Sequence, residues 1–109
     1  MDFSSYQQDA MRSASISKSG DLTTLQNAAL GLAGEAGEFA DIIKKVSFQG
    51  HPLDENHLSQ EIGDILWYCA LAATGLGLDL NDIAQNNINK LMKRYPNGFE
   101  AKRSLHRDE

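Results

Sequence analysis

The sequence predicts an all-α subunit built from four helices. Three observations predict it. Apolar residues recur at steps of three and four in four separate stretches. Period-2 alternation is sustained nowhere, and valine, a strong strand former, occurs once, at Val46. Turn residues fall between the stretches, at Gly50-His51-Pro52, Gly75 to Gly77 and Pro96-Asn97-Gly98.

The first helix is expected over about Ser4 to Ala14, with Phe3, Tyr6, Ala10 and Ala14 on one face and Asp2 or Ser4 as its cap. A small polar loop follows, from Ser13 to Gly20. The second helix runs from near Asp21 to Phe48 on a stripe of Leu22, Leu25, Ala29, Leu32, Ala36, Phe39, Ile43 and Val46. Lys44 and Lys45 at its end suit the helix dipole. The third starts near Asp54 and carries Leu58, Ile62, Ile65, Cys69, Ala72 and Leu76. The fourth opens at Asp79, with Asp82 in its first turn, and continues through Ile83, Asn87, Leu91 and Tyr95. Residues 1–99 form the expected domain, and the polar tail of 100–109 is expected to fray.

With 109 residues, the chain has room for one domain. A domain of this size buries roughly two thirds of the surface exposed when unfolded, so its core is thin. The net charge of −5 argues against binding nucleic-acid polymers, which needs a basic face. No apolar run approaches the roughly 18 residues of a membrane span, and the first residues do not resemble a signal peptide. Cys69 stands alone, which excludes an intramolecular disulfide and a cysteine-based zinc site. A soluble, cytoplasmic protein is expected.

The most informative stretch is Gly31-Leu-Ala-Gly-Glu35-Ala-Gly-Glu38-Phe39. Three glycines recur every third residue, each at a cost of roughly 1 kcal/mol relative to alanine in a helix. Close helix packing or close approach of a ligand is the usual compensation. Glu35 and Glu38, three apart, leave the helix on one face. Glu61 and Asp64 repeat that spacing on the next helix. Glu38 and Glu61 are equidistant from Gln49-Gly50, and so are Glu35 and Asp64. An antiparallel hairpin turning there brings all four carboxylates to one level. Such a group must be protonated or bridged by cations, unless it is a solvated acidic face. Oxygen ligands alone suit Mg²⁺, with Mn²⁺ as the other candidate. A di-iron bundle is disfavoured, because neither pair contains Glu-x-x-His.

The ordered set Glu-x-x-Glu, a gap of about twenty residues, then Glu-x-x-Asp resembles the metal motif of the all-α nucleoside triphosphate pyrophosphohydrolases. That group includes the MazG proteins, dCTP pyrophosphatases and dimeric dUTPases. The flanking sequence is similar too. Glu61-Ile-Gly-Asp-Ile-Leu-Trp-Tyr68 resembles the second MazG motif, and Asn87 to Phe99 the segment after it. Tyr6-Gln7 through Ala14 resembles the opening helix. The resemblance implies that Glu35, Glu38, Glu61 and Asp64 hold Mg²⁺. It also implies hydrolysis of (deoxy)nucleoside triphosphates to monophosphate and pyrophosphate, as nucleotide-pool housecleaning. Bound metal would polarise phosphate oxygens and acidify a water. Glu35 or Glu38 would take that water's proton.

Asn87, Lys90 and Arg94 share one face of the fourth helix, with Lys93 beside them. With the resemblance, Lys90 and Arg94 are expected on the distal phosphates rather than merely in solvent. Tyr68, one turn after Asp64, is implied at the sugar or base. Tyr6 and Gln7 are further candidates for base contacts. Trp67 and Cys69 read as core, and His51 and His57 receive no role. The thin core and the family's known assemblies imply a homodimer or a dimer-of-dimers tetramer, with hairpins paired into a four-helix bundle. The competing reading is a non-catalytic helical dimerisation or nucleotide-binding regulatory module.

Overall fold

The structure, a computed structural model, describes residues 1–16 and 22–106. The described residues form five α-helices and no named strand. They are α1 (Phe3–Ala10), α2 (Thr23–Phe48), α3 (Glu55–Gly75), α4 (Leu80–Arg94) and α5 (Ala101–Leu105). Asp21, the expected start of the second helix, lies outside them, as does part of the Ser13 to Gly20 loop.

Carboxylate caps set three helix starts. Asp2 accepts from Ser5 N at 2.8 Å, Asp54 from His57 N at 3.0 Å, and Asp79 from Asn81 N at 2.8 Å. The Ser5 amide also holds the Asp2 carboxyl below the usual carboxylate range. The first helix ends earlier than its spacing predicts. Regular α geometry stops at Ala10, and Met11–Ser13 continue as a 3-10 turn. There the Ala10 carbonyl accepts from Ser13 Oγ at 2.8 Å and from Trp67 Nε1 at 3.2 Å. The polar tail carries a short helix, α5, at 101–105. Residues 107–109 lie outside the described set.

α2 and α3 form the antiparallel hairpin. Gly50 turns the chain at φ 70°, and His51 N returns to the Lys45 carbonyl at 3.2 Å. Lys44 and Lys45 pair with Asp41, at 4.0 and 2.9 Å. α1 packs across the C-terminal half of α3 and the start of α4. Gln7 ties the three together. Its Nε2 donates to Thr74 Oγ1 at 2.9 Å and to the Leu78 carbonyl at 3.0 Å, and its Oε1 accepts from Leu80 N at 2.7 Å. Ser4 Oγ adds bonds of 2.8 and 2.9 Å to the Asp79 carboxylate.

The core lies at that junction. Ala10, Ala70, Ala73 and Leu80 are buried, with Tyr6, Met11, Leu66, Trp67 and Cys69 packed around them. Cys69 is core, as expected, and burial pushes its thiol pKa up. Among the described residues, Leu71 is the large side chain that is fully enclosed. The predicted stripes are displaced. Ile62 in α3 and Leu76 just after it are 56% and 57% exposed, while Glu61, Ala70, Leu71 and Ala73 are buried. The C-terminal half of α3 is wrapped by α2 on one side and by α1 and α4 on another. Its N-terminal half meets α2 through the face that carries Glu61. In α2, Thr24 and Ala28 are buried while Leu22 is 65% exposed.

Candidate metal and nucleotide site

Midway along the hairpin the acids converge. Glu35 and Glu38 from α2 and Glu61 from α3 each present a carboxylate oxygen, all within 4.8 Å of one another. Glu61 is only 7% exposed. Oε2 of Glu35 and Oε2 of Glu61 are buried with no hydrogen-bond partner. Two carboxylates this close cannot both hold full charge without a compensating proton or cation. The Glu35 carboxyl is accordingly raised above the usual range. Its shared hydrogen bond with Glu61 is the largest cause, followed by desolvation and then the charges of Glu61 and Asp64.

Asp64 falls outside the tight trio but stays beside it. Together with Glu35, Trp67 and Tyr68 it lines an open cleft of about 290 Å³. Tyr6, from α1, reaches the same region. Burial raises its phenol pKa, and the charge of Asp64 adds to the shift. The Trp67 and Tyr68 rings meet edge to face, with centroids 5.0 Å apart and planes at 87°. Trp67 is anchored behind the cleft by Nε1, which donates to the Ala10 carbonyl and, at 3.0 Å, to Ser13 Oγ.

The carboxylate arrangement suits a hard divalent cation. Its donors are all oxygens, and two of them are buried acceptors without donors. A profile described as the MazG nucleotide pyrophosphohydrolase domain matches residues 23–99. The chain belongs to the MazG family. The match begins at the first residue of α2 and ends after α4. A relative, the Gene 37 protein of Mycobacterium phage L5, is 36% identical over 100 residues, covering 85% of this chain and 88% of that protein. No solved structure matches the chain.

Other expected site residues of this MazG chain are placed differently. Asn87, Lys90 and Lys93 are exposed on α4, and Arg94 is half-buried with its guanidinium 5.9 Å from the Tyr95 ring centroid. None of the four lines the carboxylate cleft. Gln7 is engaged within the chain: both ends of its amide hydrogen-bond to Thr74, Leu78 and Leu80, which positions α1 on α3 and α4.

Two features of the candidate site go beyond what the sequence reading assigns. His57 Nε2 lies 3.6 Å from Glu61 Oε1, one helical turn away. The spacing of four residues would have shown it. The glycines also divide. A Cβ at Gly31 would fall inside the Tyr68 ring, whereas Gly34 and Gly37 have nothing within 4 Å among the described residues. Close packing within the chain therefore explains the first glycine and not the other two.

Proposed function

We propose that this chain hydrolyses (deoxy)nucleoside triphosphates to monophosphate and pyrophosphate with Mg²⁺, or Mn²⁺ in its place. The observation that carries the reading is the trio of carboxylate oxygens within 4.8 Å, two of whose residues hold buried, unpartnered oxygens. Membership of the MazG family supports the reaction class. Glu35, Glu38, Glu61 and Asp64 would hold the cation, which supplies charge to the phosphate oxygens and acidifies a water. Glu35 or Glu38 accepts the proton released in the attack. Tyr68, which lines the cleft, faces the sugar or base, with Tyr6 as a further contact. Lys90 and Arg94, with Asn87 and Lys93, hold the distal phosphates. Removal of damaged or surplus nucleotides from the cytoplasmic pool is the role this chemistry suits.

The test is a panel of dNTPs and NTPs at micromolar enzyme, with Mg²⁺, Mn²⁺ or EDTA. Pyrophosphate and monophosphate are expected in equal amounts, and EDTA is expected to stop their release. No turnover of any nucleotide overturns the reading, and orthophosphate as the primary product overturns the position of attack.

The working unit we propose is a homodimer or a dimer of dimers. The radius of gyration is 17.0 Å, against about 13 Å for a compact chain of this length. The accessible surface is 7953 Å², against about 6,000 Å² for a compact monomer of 12.0 kDa. Leu30, Phe48, Ile62, Ile88 and Met92 are each more than half exposed. A second hairpin laid against α2 and α3 would make the four-helix bundle and could cover Leu30, Phe48 and Ile62, the members of this set that the hairpin carries. Light scattering behind size exclusion is expected to give twice or four times the chain mass. A monomer at micromolar concentration sinks this assembly.

A further inference from the structure

The α2–α3 register extends one turn beyond the acids. Glu38 faces Glu61, Glu35 shares the cleft with Asp64, and Gly31 faces Tyr68. At this last level a side chain is missing on one helix and a ring fills the space from the other. A Cβ built on Gly31 would overlap three atoms of the Tyr68 ring. The ring cannot retreat towards Trp67, which meets it edge to face and is pinned by the Ala10 carbonyl and Ser13 Oγ. α2 lies against one side of the ring and Trp67 against another, while the cleft that the ring lines is open.

We propose that Gly31 is a specificity-determining residue: its bare backbone holds the Tyr68 ring against α2, and that position sets the width of the cleft open to a nucleobase. Gly31 does not touch substrate in this account. It is a positioning residue that acts through Tyr68. The inference rests on the nucleotide-hydrolysis reading above and adds the element that selects among bases. A methyl group at position 31 drives the ring into the cleft and excludes the larger purines first. Removing the ring does the reverse.

The experiment uses the full chain with Mg²⁺ and compares kcat and KM on dATP, dGTP, dCTP and dTTP. The variants are Gly31→Ala, Tyr68→Ala and the double substitution. Gly31→Ala favours helix, so the fold is expected to hold. Its KM for purine nucleotides should rise roughly tenfold or more relative to pyrimidines, the size of effect one methyl group has in a fitted pocket. kcat should change less than KM. Trp67 is the chain's one tryptophan, so its emission reports ring displacement directly and should shift in nucleotide-free Gly31→Ala. In the Tyr68→Ala background the same change at position 31 should have no further effect. Tyr68→Ala alone should move the purine-to-pyrimidine KM ratio the other way, which keeps the proposal testable if Gly31→Ala fails to fold. Wild-type turnover with ratios unchanged by these substitutions overturns the assignment of Gly31 alone. An equal loss in the Tyr68→Ala background overturns the route through the ring. Wild-type protein that hydrolyses no nucleotide overturns the function reading and this inference together.

Discussion

Glu38→Gln is expected to lower nucleotide turnover by roughly a hundredfold or more while leaving the helices intact. Glu38 is the exposed member of the trio, so it contributes to the cluster and to no core contact. Glutamine keeps its shape and has similar helix propensity. An exposed substitution of this kind changes stability by about 0.5 kcal/mol or less. The loss should therefore appear in pyrophosphate release and leave circular dichroism and the melting curve nearly unchanged. Asp64→Asn, at the far edge of the same cleft, should give a comparable loss. If both variants run at the wild-type rate, these acids do not hold the catalytic cation.

Glu61→Gln, unlike Glu38→Gln, should stabilise the cation-free protein. Glu61 is nearly enclosed, its Oε2 has no partner, and it faces two further acids. Removing its charge takes away repulsion and a buried anion together, and the amide can donate to Glu35. A gain of roughly 1 kcal/mol would raise the melting temperature by about 4–8 °C in a domain of this size. The stabilisation conferred by added Mg²⁺ should shrink in parallel. The pH dependence has a definite sign. Glu35 binds its proton more tightly folded than unfolded, chiefly through Glu61. The cation-free fold is thus favoured in acid and loses that contribution as pH rises through the elevated Glu35 pKa. In Glu61→Gln that decline should be shallower. Melting curves in EDTA from about pH 4 to 8 test both statements. A lower melting temperature at every pH counts against a repulsive, cation-ready cluster.

Much of this architecture is legible in the sequence because it depends on local rules. Asp54 and Asp79 cap the helices they were expected to open. The turn at Gly50 fixes the register, and the register alone brings Glu35, Glu38 and Glu61 together. The rest depends on which helices cover which faces, and spacing does not carry that information. A single apolar stripe along α3 implies a single packing face. In the folded chain its two halves meet different neighbours, so Ile62 faces outward and Glu61 inward. Gln7 sits in a motif, and spacing does not reveal that its amide joins a three-helix junction. Lys90 and its neighbours do share the exposed surface of α4, but spacing within one helix says nothing about its distance from another.

The hairpin register has one more consequence. Its acids and its Gly31–Tyr68 contact occupy successive turns of the same two helices, like separate rungs of one ladder. A substitution on the aromatic rung is expected to leave the carboxylate rung in place, because each sits on its own turn of the two helices. Under the proposed nucleotide hydrolysis, substrate range could therefore drift under selection while the chemistry stays fixed, through single changes at positions 31 and 68 that leave the fold intact.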